Sequence, residues 1–248
     1  MQMNILEPFC ISIVFAAIFV FGNKLHIGYR THPRRALSAA GGAAVAYVFI
    51  HLLPELERAG DTFVEITADQ SLPFPEYRVY LAALIGFILF YGLEHMVHWS
   101  RLSGRHERTG YGIGDPIFIL HIVGFALYAG LISYLMVRSI EDGKPVPLLM
   151  YGIAMGLHFL STDYSLHHEH GRLYEVCGKW VLAGAVLAGW VCGALTELHK
   201  PVVITMLGLV TGGVVMNSMI VELPGEKDGK FLPFCAGAAA YSALLFFI

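Results

Sequence analysis

The densest chemistry in this chain lies in thirteen residues, His158-Phe-Leu-Ser161-Thr162-Asp163-Tyr-Ser165-Leu-His167-His168-Glu169-His170, with four histidines and two acids. Imidazole and carboxylate are the ligand types that hold zinc and related divalent metals. In a helix Asp163, His167 and His170 stand at i, i+4 and i+7 and share one face, whereas His158 shares its face with Thr162. His158 and Asp163 lie about 140° apart on an ideal helix. They meet one ion only if the helix is distorted or the ion sits between helices.

Four smaller groups carry the same chemistry. His51-Leu-Leu-Pro54-Glu55 puts an imidazole and a carboxylate on one helix face, with Pro54 removing an amide between them. Glu94-His95-Met-Val-His98 crowds three ligand-type side chains at one helix end. His121 stands alone in an apolar run, and Asn217 and Glu222 add oxygen ligands just before Leu223-Pro224. Each group also has a plainer reading. These are a His–Glu pair capping a span, an amphipathic boundary anchored by Trp99, a hydrogen-bonded core histidine, and helix punctuation at a proline.

The elements that position these groups follow from composition. Of 248 residues, 56% are hydrophobic and only 14% are Asp, Glu, Lys or Arg, against about 25% charged in an average soluble domain. So much apolar surface needs lipid as its solvent. Soluble enzymes and disordered chains are excluded, and a net charge of −3 without a basic block excludes nucleic-acid binding. Runs of about 20 apolar residues give eight spans: 5–22, 36–56, 79–99, 117–137, 147–163, 176–196, 201–222 and 231–248. The expected fold is an all-α polytopic bundle, one transmembrane domain over residues 1–248. No cleavable signal peptide is expected, and no CxxC pair occurs, so Cys10, Cys177, Cys192 and Cys235 read as buried apolar residues.

Small residues recur inside the runs, as in Ala39-Ala-Gly-Gly42-Ala-Ala44 and Ala183-Gly184-Ala185. Both runs are expected to line close helix contacts, within the chain or in a homodimer. Eleven of the 16 basic residues fall in the loops around Arg34, Arg105, Arg172 and Lys227. The positive-inside rule makes those loops cytoplasmic and puts both termini outside, in the cell (inner) membrane. An acidic stretch, Glu57, Asp61, Glu65, Asp69 and Glu76, reads as an outer loop after the second span.

Eight spans with both termini outside, His51-Leu-Leu-Pro54-Glu55 in the second, Glu94-His95-Met-Val-His98 in the third and Glu222-Leu-Pro at the end of the seventh resemble the ZIP family of divalent metal transporters. The likeness covers nearly the whole chain in topology, through short motifs. It implies a metal pathway between spans four and five, lined also by spans two and seven. Several family positions in spans four and five differ, and Ile122 and Phe159 stand directly after the two histidines where the family has an asparagine and an acid. Phe125 stands where an acid follows the span-four histidine by one turn, and Ser161 and Thr162 replace the span-five proline and second ligand.

What the resemblance implies is a carrier moving zinc, or another divalent cation as substrate, across the lipid bilayer into the cytoplasm. His121 and His158 would face each other as its core, with Asp163 as the carboxylate. His51, Glu55 and Glu222 would be gate or entry ligands, and Glu94, His95, His98, His167 and His170 would receive the ion at the inner exit. Two other functions fit the same residues. One is an intramembrane zinc-dependent hydrolase built on Ser161, Asp163, His167 and His170, with Asp163 or Glu169 as base. The other is a ZIP-fold protein without transport, serving as a sensor or partner subunit.

Overall fold

The computed structural model of the protein describes residues 6–28, 33–67, 77–102, 115–138, 145–220 and 230–246. Among these residues the regular structure is helical throughout, in eight helices. Helix α1 is Leu6–Gly28. Helix α2 begins as Pro33–Tyr47, passes a π turn at Val48–Leu52 and continues as Leu53–Thr67. Then follow α3 (Arg78–Leu102), α4 (Pro116–Arg138) and α5 (Pro145–His170). A π turn at Tyr174–Gly178 leads into α6 (Lys179–Leu195), and α7 (Lys200–Ile220) and α8 (Phe231–Phe246) complete the bundle. Five stretches, in α2, α3, α4, α6 and α7, are long and apolar enough to cross a membrane. The chain is a multi-pass membrane protein.

Helices α2 and α5 are among those that run past the spans expected for them. Leu56, Gly60, Phe63 and Thr67 recur at helical spacing and are buried, Leu56 and Phe63 packing with Val79 of α3 and Ile204 of α7. The acids Glu57, Asp61 and Glu65 therefore ride the exposed face of a continuing α2 and are no loop, while Asp69 and Glu76 lie outside the described residues. Pro54 does not break that helix. The π turn before it widens the backbone, Leu53 N–H bonding the Val48 carbonyl, so the missing Pro54 amide is accommodated. Helix α5 likewise continues past residue 163 through the polar residues to His170. No glycine or proline interrupts it from Leu157 until Gly171, whose φ of 51° is left-handed and ends the helix. Gly171 N–H closes that end on the His167 carbonyl, 2.8 Å away.

Helices running in the same direction pack most closely in the pairs α2–α8, α3–α7 and α4–α6, while α1 lies against both α5 and α6. Lipid is as apolar as leucine, so close backbone contact, rather than expulsion of water, holds such pairs. A Cβ on Gly212 of α7 would collide with the Ala83 carbonyl of α3, and one on Gly189 of α6 with the Gly130 carbonyl of α4. The run 39–44 is buried or half-buried throughout, as expected. The run 183–185 is not: Ala183 is buried, but Gly184 is exposed with nothing near its missing Cβ. At 100° per residue, successive residues cannot all face one neighbour. The cysteines also depart from expectation. They are free thiols, and Cys10, Cys192 and Cys235 are exposed on apolar helices rather than buried.

Candidate metal centre

Helix α4 starts at an Asp115 cap, whose carboxylate accepts the Ile117 N–H at 2.9 Å. Its buried face carries Phe118, His121, Phe125, Tyr128 and Ile132 at helical spacing. His121 is 1% exposed. The far end of the antiparallel α5 meets it there. His121 Nδ1 lies 2.7 Å from His170 Nε2 and 3.7 Å from Glu169 Oε2. Residue His170 is 3% exposed, as is the Glu169 side chain. Phe118 packs edge-on against the His170 ring.

His121, Glu169 and His170 each offer one ligand atom, all within 4.8 Å of one another. Two imidazoles and one carboxylate are a zinc-type donor set that leaves a fourth position open. Zinc–nitrogen bonds of about 2.0–2.1 Å put two nitrogens of a tetrahedral site roughly 3.3 Å apart. The observed 2.7 Å is that of a hydrogen bond between the rings, so an ion enters by parting them a few tenths of an ångström. Two side chains flank the group. Ser165 Oγ donates to Glu169 Oε1 at 3.1 Å, and Glu94 Oε1 of α3 lies 3.9 Å from His121 Nε2.

A buried polar stripe on α5, His158, Ser161, Thr162, Ser165 and Glu169, leads to this group from mid-helix. His158 stands about 18 Å from His170 along the axis, at 1.5 Å per residue. Its own partners are different ones. Tyr128 Oη lies 2.8 Å from Nε2 and Ser218 Oγ 3.3 Å from Nδ1, while Asn217 Nδ2 donates to Thr162 Oγ1 at 2.8 Å. Replacing His158 by alanine strands those hydroxyls inside the bundle and is expected to cost about 1–2 kcal/mol. The ion-binding stoichiometry at His121 should stay as it is. Thermal unfolding in detergent beside a zinc titration reads both quantities.

The remaining expected ligands are dispersed. Asp163 points toward α1 and α6: Tyr174 Oη donates to its Oδ1 at 2.5 Å, and its carboxylate fills the space over Gly22. His167 Nδ1 pairs with Glu175 Oε1 at 3.2 Å, and Lys179 Nζ donates to Glu175 Oε2 at 2.9 Å. The proposed hydrolytic group is thereby divided, Asp163 and His167 facing α6 and His170 facing α4. His51 stacks on Tyr47, and Glu55 lies 3.7 Å from Arg58. His95 and His98 are exposed. Glu222 lies outside the described residues. Sequence reasoning did not place Glu169 among the ligands, nor name Tyr128, Ser218 or Tyr174. The signal for Glu169 was its phase, eleven residues after His158 and within 20° of it on the helix wheel.

No protein-family model matches the chain, and no curated protein matches it.

Proposed function

We propose that this protein is a ZIP-like carrier that moves a divalent cation, zinc first among them, down its gradient into the cytoplasm. The observation that carries the reading is the buried His121–Glu169–His170 group at the end of the polar stripe from His158. Ligands of this kind are costly inside a membrane and are retained where an ion passes or binds. In this reading the chain makes eight passes with both termini outside, and the loops around Arg34, Arg105, Arg172 and Lys227 face the cytoplasm. The ion approaches past His51 and Glu55, passes the hydroxyls beside His158 and halts at His121, Glu169 and His170. His95 and His98, exposed near the same end, take it onward.

The test is a zinc titration of the purified protein in detergent. One ion per chain is expected, with affinity that falls on acidification because protons compete for the imidazoles. No binding at neutral pH would remove the reading. One observation also favours a second function: an open fourth position beside a His–His–Glu set suits a zinc-bound water in hydrolysis. A retained ion without flux would select it, or the sensor reading.

A further inference from the structure

We infer that Glu94 of α3 is a positioning residue for this site and not one of its ligands, an inference that rests on the metal-site reading above. The geometry around His121 separates the two roles. Its Nδ1 edge faces His170 Nε2 and Glu169 Oε2, at 2.7 and 3.7 Å, so an ion held with those residues binds at Nδ1. Glu94 Oε1 lies 3.9 Å from Nε2, on the opposite edge of the ring. An imidazole that ligates through one nitrogen keeps its proton on the other, and a carboxylate facing that N–H fixes tautomer and orientation. At 3.9 Å Glu94 acts by its charge, favouring the tautomer that keeps the proton on Nε2 and leaves the Nδ1 lone pair toward the ion.

The fold brings this carboxylate into place. Gly124 stands one turn after His121, and Leu93 fills the space over it, with Cδ1 2.7 Å from where a Cβ would be. That contact seats α3 on α4 beside His121 and turns the adjacent Glu94 inward, only 9% exposed, while His95 and His98 face out. Ser165 does the matching work on the other ligand, occupying Glu169 Oε1 and leaving Oε2 toward the ion.

The experiment titrates cobalt(II) into the purified full chain, parent beside Glu94→Gln and Glu94→Asp, and reads affinity, stoichiometry and the visible ligand-field spectrum. Loss of a carboxylate behind a ligating histidine typically weakens binding 10–100-fold. That loss is expected for Glu94→Gln, with one ion per chain and the parent's band positions. Glu94→Asp should recover part of the affinity. Circular dichroism establishes that each variant is folded, and the Asp variant decides the matter if the Gln variant is not. Parent-like affinity in the variants would overturn the inference, as would shifted bands that make Glu94 a ligand. A parent that binds no cobalt and no zinc would instead overturn the site itself.

Discussion

Replacing His170 by alanine is expected to weaken zinc binding more than a hundredfold while leaving the helices folded. Zinc held by four ligands in small peptides binds with about 10–16 kcal/mol, or roughly 3 kcal/mol for each ligand. That is a factor above 100. His170 is the better choice for this experiment than His121. It sits in the last turn of α5, beside Gly171, so its removal opens a small buried space against Phe118 at a helix end without stranding a carboxylate on either side of it. His121 is enclosed between α3 and α5 with Glu94 and Glu169 on its two edges, and its loss also leaves two buried carboxylates without that imidazole. His95→Ala or His98→Ala, at exposed positions on α3, should change the affinity little. Calorimetric titration of the three variants separates a site from a general histidine effect.

The largest structural effect is expected at Gly42. A Cβ there would overlap the Phe234 carbonyl oxygen of α8 and come within 2.9 Å of the Ala238 nitrogen. These are backbone atoms of a regular helix, so they cannot rotate aside. Gly237 of α8 meets the Ala39 carbonyl of α2 in the same way, and the Ser38 hydroxyl accepts the Lys230 N–H at 2.8 Å alongside. Gly42→Leu must push the pair apart, since even its Cβ overlaps backbone atoms and the rest of the side chain lies beyond it. A loss above about 4 kcal/mol is expected, the range reached only by severe core changes. Gly184→Leu provides the contrast. It lies in an equally small-residue run, but nothing stands within 4 Å of the added Cβ, so its stability should match the parent's. Yield of folded protein in detergent reads both.

The chemistry-bearing segment was legible because ligand types are rare in an apolar chain, and 158–170 stands out for that reason alone. Which of its residues meet was less legible. Asp163, His167 and His170 share a helix face, as their spacing required. Yet Asp163 and His167 face α6 across the Gly171 turn, while His170, nearest the helix end, reaches α4. Only the neighbours' positions decide that, and they depend on which helices pair. In water, apolar contrast marks the inner face of a helix. In lipid it does not: Val14 and Phe15 are both apolar, but the first is exposed and the second fully buried. The pairing is written instead in glycines such as Gly42, Gly189 and Gly212, whose partners on other helices a single sequence does not name. The π turns at Val48–Leu52 and Tyr174–Gly178 had no signal beyond Pro54 near the first.

Zinc flux into sealed vesicles tests the central claim most directly. Vesicles carrying the parent protein should accumulate zinc down an imposed gradient, and vesicles carrying folded His170→Ala should fill no faster than empty ones. A parent that keeps one zinc per chain, yet fills its vesicles no faster than empty lipid, would contradict carriage and leave a resident metal at His121, Glu169 and His170.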